Sequence, residues 1–445
     1  MVKLTKIPAK VLEIISILQA EKYEVYAVGG CVRDSLLGIT PKDWDITTNA
    51  KPDEVMHCFG DYTVIPTGIA HGTVTVLIKG EPFEITTYRT EGKYSDCRRP
   101  DSVLFSSNII DDLVRRDFTI NAMAWNLDKG LIDPFGGQKD LAAGLISCVG
   151  KPEERFCEDA LRILRCVRFA AVLGFDIEEN TANAMLKLCQ RLDFVARERV
   201  RSELLAAIAG RYFYNVFIKY SQILFNIVPE LAKSENFEHN SPYHIYNVYE
   251  HTLHAIEYAP PDPIIRMALL LHDIGKPSCY KQDADGTGHF KGHPEVSAEI
   301  AEEILQRLRF SAEECGKITA LVRYHDVDIP PTYAAVKRWL GKLGAELFAD
   351  LITVKKADAQ ARAPIPAKKR FEEAEELLSI AEEILAKGEC YKISMLAVSG
   401  NDIIDSGVPK GKAVGEMLQT LLERVIDEKI ENKREALLEF VKAKI

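Results

Sequence analysis

At 445 residues, 47% apolar and 27% charged, the chain is long enough for about two to four globular domains with buried cores. No run approaches the roughly 18–20 consecutive apolar residues of a membrane span, and the ten cysteines, scattered from Cys31 to Cys390 without a Cys-x-x-Cys pair, suit a reducing compartment better than a disulfide framework or a zinc finger; no membrane partner and a cytoplasmic location are expected. A net charge of −10 argues against a sequence-blind nucleic-acid coat and leaves room for a local basic groove.

The opening segment, MVKLTKIPAKVLEIISILQA, reads as an amphipathic helix with charges at Lys10 and Glu13. From about Tyr23 to Gly150 the runs EVYAVGG, YTVIPTG, GTVTVLIKG and PFEITTYR alternate with turn residues, which predicts strands of a small mixed sheet. Gly29 and Gly30 fall where the first strand would turn into a helix through Cys31-Val32-Arg33-Asp34. Such a turn can bring backbone N–H groups to a phosphate, although a Gly-Gly pair alone is also an ordinary tight turn.

Asp43-Trp44-Asp45-Ile46 follows. On a strand the period of two would put both carboxylates on one face. Two adjacent carboxylates repel, so a fold keeps them mainly where a divalent cation or a shared proton neutralises the pair; Mg²⁺ with nucleotide phosphates is the natural occupant. Glu84, in Pro82-Phe83-Glu84-Ile85, is a candidate third acid. Residues 90–100 read as a mobile loop between strands.

Beyond Pro152 the apolar spacing becomes helical. Glu158–Arg168 is expected to form one continuous helix in which Asp159, Arg162, Arg165 and Arg168 recur every three residues, an inclined polar ridge backed by Leu161, Leu164 and Val167. The alternative is a solvated face with i,i+3 ion pairs. Asp159 beside Arg162 offers an acceptor next to a donor, which suits the edges of cytosine and adenine and mispairs with uracil and guanine. Each buried mispaired group costs about 1–3 kcal/mol. Arg191, Arg197, Arg199, Arg201 and Arg211 either meet RNA phosphates or form a solvated face.

The polar break SENFEHNSPYH opens a histidine-rich stretch, and ARAPIPAKKR marks another boundary before a charged helical segment. The order His251, His272-Asp273, His293, His325, Asp358 resembles the HD phosphohydrolase superfamily. That resemblance implies one metal site from His251, His272, Asp273 and Asp358, and a second from His293 and His325 with Asp273 bridging, occupied by a divalent transition metal such as Ni, Mn, Fe or Zn. His239, His244, His254 and His289 are set aside as structural or solvent-facing. Lys410, Gly411 and Lys412 lie at an expected helix start and either meet a phosphate or simply pack.

The ordered strings GGCVRD, KDWDI, RRDFTINAMA (115–124), DPFGG (133–137), EDALRILRCVRF (158–169) and ERVRSEL (198–204) resemble the nucleotidyltransferase superfamily that includes DNA polymerase β. Together they are similar to the class II bacterial tRNA nucleotidyltransferases, the CCA-adding enzymes and bacterial poly(A) polymerases. The resemblance implies an α+β chain in four parts: a polymerase-β-like head with a small mixed sheet (1–150), an all-α neck (151–235), an α-helical HD domain (236–363) and a helical tail (364–445).

It further implies that Asp43 and Asp45, with Glu84, are catalytic and hold Mg²⁺, and that Gly30, Arg33 and Arg116 contact triphosphate or sugar. Asp159 and Arg162 would select the base, with Arg165 and Arg168 toward its phosphates. In relatives the loop at 90–100 takes part in switching from C to A addition. The expected partners are tRNA, CTP and ATP, and the expected activity is template-independent CCA addition. The rivals are a partial A-adding or CC-adding enzyme, a poly(A) polymerase, an HD phosphohydrolase with a nucleotide-binding N-terminal half, and a noncatalytic tRNA-binding protein. For the HD part, hydrolysis of 2′,3′-cyclic or terminal phosphates competes with a vestigial domain whose metal serves only folding.

Overall fold

The structure, a computed structural model, describes residues 7–92 and 103–445, and it divides after Ile227 into two compact units. In the first, the helix Ala9–Ala20 buries Val11, Ile14, Ile15 and Leu18, the stripe expected of a 3.6-residue period. The strands are β1 (Val25–Val28), β2 (Ile46–Thr48), β3 (Thr63–Gly68), β4 (Thr73–Ile78), β5 (Glu81–Thr87), β6 (Arg89–Glu91), β7 (Val103–Phe105), β8 (Ala124–Asn126) and β9 (Gly130–Ile132). Seven of them form one mixed sheet in the order β3-β4-β5-β2-β1-β8-β9. Only β2 and β5 pair in parallel; the other pairings are antiparallel.

The sheet has a dry face and a polar face. Val74, Val76 and Ile78 of β4 and Phe83 and Ile85 of β5 are buried, while Thr73 and Thr75 lie opposite Thr86 and Glu84 in the β4–β5 register, so the polar residues share the other side. β6 and β7 make a separate pair. Thr90 and Glu91, expected in a loop, therefore belong to β6. The rest of that loop, residues 93–100, lies outside the described residues.

The continuous helix expected over Glu158–Arg168 is instead two helices, Pro152–Glu158 and Leu161–Leu173. Asp159 breaks them with an extended backbone (φ −137°, ψ 104°), and its Oδ1 accepts the amide of Leu161 at 3.0 Å. A side chain that bonds the backbone two residues on competes with the helical ladder. The ridge therefore begins at Arg162. Behind it the helix Arg197–Ile208 packs against Leu161–Leu173.

The second unit is mainly helical. Its helices include Val248–Tyr258, Pro263–Leu271, His293–Arg307, Ala312–Tyr324, Ala345–Gln360 and Pro364–Ala386. Residues 361–363 make a short reversal between the last two, which pack together, and the rest of the ARAPIPAKKR string opens the helix Pro364–Ala386, with Pro364 in the first turn, where its missing N–H costs nothing. Lys412 begins the helix Lys412–Ile426. A separate apolar cluster around Ile403, Leu421, Ile426, Leu437 and Val441 holds the last segment. No helix among the described residues is long and apolar enough to cross a membrane.

Candidate functional site

The first site is built where β1 ends. Gly29 turns the chain with φ +82° into the helix Gly30–Leu36, a conformation that favours glycine, and a Cβ there would lie 2.8 Å from Arg116 Nη1. The constraint falls on Gly29 more than on Gly30, whose added Cβ would meet only an ordinary contact with Arg33. Asp43 and Asp45 precede β2 rather than lying on it. The Asp45 carbonyl nevertheless accepts the Val28 amide at 3.0 Å, which ties this edge of the segment to β1. Because Ile46 pairs with Ile85, the residues one step upstream, Asp45 and Glu84, are neighbours on the polar side.

Asp43, Asp45 and Glu84 are all exposed. Asp45 still has its carboxyl pushed up, by the protein mass around it and by the charge of Asp43, against the opposing pull of Arg116 and Arg165. Among the described residues neither Asp43 nor Asp45 forms an ion pair. An acid pair left with that excess of negative charge fits a divalent cation.

Beside it, the motifs quoted from the sequence join in one polar network. Arg33 donates from Nε to Asp34 (2.8 Å) and from Nη1 to Asn121 Oδ1 (2.7 Å). Asn121 donates on to Asp117 at 3.1 Å, and Asp117 accepts Arg165 Nε at 2.7 Å. Arg165 lies 3.8 Å from Glu203, which also accepts Arg168 Nε at 2.5 Å. Arg33, Arg165 and Arg168 all lie over the ring of buried Phe169, at 4.9, 5.3 and 4.0 Å from its centroid. The GGCVRD, RRDFTIN, EDALRILRCVRF and ERVRSEL strings thus hold one another, which fixes the guanidiniums before any ligand arrives.

Arg116 is anchored differently. Its Nη2 reaches Asp112 at 3.2 Å, and Arg115 holds the same carboxylate at 2.7 Å. Burial opposes the charge on Asp112, but the two arginines outweigh it and keep the carboxyl below its usual range. Asp159 and Arg162, expected side by side, hold other partners. Asp159 accepts Arg199 at 3.0 Å, while nearly buried Arg162 donates to Glu158 at 2.7 Å and to the Arg115 carbonyl at 2.9 Å.

The second site gathers all six residues expected there. His251 comes from the helix Val248–Tyr258, His272 and Asp273 from the end of Pro263–Leu271, and His293 from the first turn of His293–Arg307. His325 follows Ala312–Tyr324, and Asp358 lies near the end of Ala345–Gln360. All six are buried. Each ring Nδ1 meets a backbone carbonyl: Ala361 (3.2 Å), Leu269 (2.6 Å), Phe290 (2.9 Å) and Val322 (2.7 Å) for His251, His272, His293 and His325. A carbonyl only accepts, so Nδ1 carries a proton and Nε2 faces inward, the nitrogen that binds a metal once it carries no proton of its own.

Asp273 stands between the rings. Its Oδ2 is 3.2 Å from His272 and 3.6 Å from His251, and its Oδ1 is 3.3 Å from His293 and 3.6 Å from His325. The groups His251, His272, Asp273 and Asp273, His293, His325 each converge tightly enough to hold an ion. Burial alone would discharge Asp273 and Asp358, yet the surrounding cations keep both carboxyls well below the usual range. Against its own burial, His272 is raised to about 10 by the same two acids. His272 Nε2 and both Asp273 oxygens are buried without a well-directed hydrogen bond. That donor set, imidazole nitrogens around a shared carboxylate, fits a divalent transition metal.

Lys276, given no role from the sequence, and His239 and His244, set aside there as structural or solvent-facing, complete the surroundings. Lys276 Nζ lies 2.6 Å from Asp273 Oδ2 and 3.1 Å from His239 Nε2. His239 stacks on His244 at 3.8 Å, and burial pushes both rings below the histidine range, His239 to about 3. Neutral His239 can then accept from the ammonium. The signals in the sequence were the place of Lys276 three residues after Asp273 and that of His239 and His244 in the SENFEHNSPYH break.

Comparison with known proteins joins the two sites on one family. Residues 25–147 match the poly A polymerase head domain, and residues 293–441 match tRNA nucleotidyltransferase domain 2. A CCA-adding enzyme of Bacillus cytotoxicus is 32% identical over 429 residues, 95% of this chain and 95% of that one. The chain belongs to the CCA-adding enzyme family. Higher identity is confined to part of the length: the CCA-adding enzyme of Oceanobacillus iheyensis is 50% identical over 203 residues, 46% of this chain and 50% of the relative. The chain thus matches about half the length of such relatives. Among solved structures, the Bacillus stearothermophilus CCA-adding enzyme in complex with CTP gives a TM-score of 0.72 at 28% identity, covering 98% of this chain and 96% of that one. A Thermotoga maritima CCA-adding enzyme complexed with tRNA shares the fold, with a TM-score of 0.56 at 21% identity, covering 99% and 97%.

Within this CCA-adding framework Asp117 is the structural keystone of the ion network. Burial opposes its charge, but Arg165 and Asn121 outweigh it and bring the carboxyl from 3.8 to about 2. A depressed carboxyl contributes stability that is present above its unfolded value and is lost as pH falls through the folded one. The shift corresponds to about 2 kcal/mol. Asp117→Asn should cost about that much at pH 7, and urea titrations across pH should show the gap to wild type closing between about pH 4 and pH 2.

Proposed function

We propose that the chain adds C, C and A to tRNA 3′ ends from CTP and ATP without a nucleic-acid template. The observation that carries this is the exposed Asp43/Asp45 pair, short of positive charge, placed beside the arginine network of Arg33, Arg165 and Arg168. Mg²⁺ held by Asp43 and Asp45 would supply charge neutralisation at the attacking and leaving oxygens of nucleotidyl transfer. Glu84 is the neighbouring carboxylate on the same face and the third acid of this reading. Arg33 and Arg116 orient the triphosphate, and Gly29-Gly30 lets it approach the backbone.

Base selection is assigned to Asp159 and Arg162, with Arg165 and Arg168 directed to the phosphates. A base must compete with Arg199 for Asp159 and with Glu158 for Arg162, so selection is coupled to opening those two pairs. The test is extension of three tRNA transcripts, ending before CCA, after C and after CC, each with CTP, ATP or both. Growth of all three to CCA and no further is expected. Extension only of the CC-ended transcript, or unlimited A tails, would replace this reading with an A-adding enzyme or a poly(A) polymerase.

A second reading concerns the buried cluster of the second unit. Four imidazoles with inward Nε2 atoms around one shared carboxylate support a metal-dependent phosphohydrolase centre. Its metal would supply an activated water for attack on a phosphate ester. Hydrolysis of a blocked RNA 3′ end would suit a protein that extends such ends. Lys276, buried 2.6 Å from Asp273 Oδ2, would hold that shared carboxylate in place.

A further inference from the structure

Glu158, the last residue of the helix Pro152–Glu158, gives a separate oxygen to each of two arginines. Its Oε1 accepts Arg155 Nη2 at 2.5 Å from the same face of that helix, and its Oε2 accepts Arg162 Nη1 at 2.7 Å across the break at Asp159. The two guanidiniums also reach consecutive carbonyls where the helix Ile109–Val114 ends: Arg155 Nη1 donates to Val114 at 3.1 Å and Arg162 Nη2 to Arg115 at 2.9 Å. Carbonyls at a helix end lack partners within the helix and can take such donors, so Arg155 keeps its place by a bond independent of Arg162. The Glu158 side chain is 24% exposed and those of Arg155 and Arg162 are 17% and 10% exposed, so water only partly screens the three charges.

A base that draws Arg162 away from Glu158 has to open one of these pairs. If Arg162 were the sole cation on Glu158, its departure would leave a largely buried carboxylate unpaired, and the pair would resist opening. With Arg155 in place, Oε1 stays matched, and the charge of Arg155 opposes that of Arg162 and loosens its hold. Asp159 is secured in another way, since its Oδ1 keeps the Leu161 amide when Arg199 leaves Oδ2. We propose that Arg155 is a positioning residue for nucleotide selection, holding Glu158 while Arg162 turns to the base and so setting how readily CTP and ATP enter. This role rests on the assignment of base selection to Arg162. Because Arg162 serves either base, the effect falls on both nucleotides alike and spares tRNA. An affinity lowered by the fraction of open state is read in KM and leaves kcat alone.

Steady-state extension by the full chain tests it, with a tRNA ending before CCA for CTP and one ending in CC for ATP. Arg155→Met should raise KM for both nucleotides about five- to tenfold, with kcat and the KM for tRNA within about twofold of wild type. Arg155→Lys keeps a cation beside Glu158 and should stay within about threefold of wild type. Neutral glutamine at 158 needs no counter-charge, so Arg155→Met combined with Glu158→Gln should match Glu158→Gln alone within about twofold. Arg155→Gln, neutral but polar, replaces Arg155→Met should the latter fold poorly. A side chain that merely braces the two helices would lower kcat when lost, and its loss would persist beside Glu158→Gln.

An unchanged nucleotide KM in a folded neutral variant, a loss confined to kcat, to tRNA or to one nucleotide, an equal loss in Arg155→Lys, or a loss that persists beside Glu158→Gln would overturn the proposal. Arg162→Ala, assayed with CTP and UTP, reports on base selection separately. Discrimination retained in Arg162→Ala overturns the base-selection reading and the role of Arg155 with it. Discrimination lost there, with Arg155→Met at the wild-type KM, overturns the role of Arg155 alone.

Discussion

Asp45→Asn is expected to reduce nucleotide addition by at least about a thousandfold, some 4 kcal/mol of transition-state stabilisation, while leaving the fold intact. Asparagine keeps the shape of the side chain and leaves the Asp45 carbonyl free to accept the Val28 amide. What it removes is charge. The Asp45 carboxyl is already raised by its surroundings and by Asp43, so its ionised form costs the folded state stability at neutral pH. The sign follows: a carboxyl with a raised value destabilises above it, and the variant should melt at or slightly above the wild-type temperature. Single-turnover extension of a CC-ended tRNA with ATP measures the first effect and a thermal melt the second. Activity within tenfold of wild type, in a folded variant, would remove Asp45 from the proposed role.

What the sequence exposed and what it hid have physical reasons. The strands of the head were visible because β-branched and apolar runs such as GTVTVLIKG are bounded by turn residues, and Val74 and Val76 alternate with Thr73 and Thr75 as one strand of a one-sided sheet must. The buried cluster was visible because histidines and aspartates in apolar helices stand out as expensive residues. Arg33, Asp117, Arg165 and Glu203 were all within the quoted motifs, but their mutual bonds join residues up to 88 positions apart and depend on tertiary approach. The break at Asp159 escaped a count of apolar spacing because it comes from a side chain bonding its own backbone. His239 and Lys276 meet only because the irregular stretch before Val248 folds back onto the cluster, and irregular backbone carries no period to read.

Asp273→Asn should have the largest effect on the second unit. Asp273 is shared by both candidate metal groups, and its two oxygens face opposite pairs of histidines. The amide offers one neutral oxygen in place of two charged ones, so bound divalent metal should fall below about a tenth of the wild-type stoichiometry by elemental analysis, a loss of at least 1.4 kcal/mol in binding at fixed metal concentration. Stability should fall as well. Lys276 would keep its buried ammonium without the carboxylate 2.6 Å away, and breaking such a pair from one side costs about 3–5 kcal/mol. Adding Lys276→Met to Asp273→Asn removes the stranded charge and should recover much of that stability without recovering metal. A chelator should lower the melting temperature of the wild type and leave both variants unmoved, since only a chain that binds metal is stabilised by it. Full metal occupancy in Asp273→Asn would remove Asp273 from the proposed ligands, and a wild type that binds no metal would show that the six residues converge for packing alone. If the double variant stayed as unstable as the single one, the Asp273–Lys276 pair would not be the source of the cost.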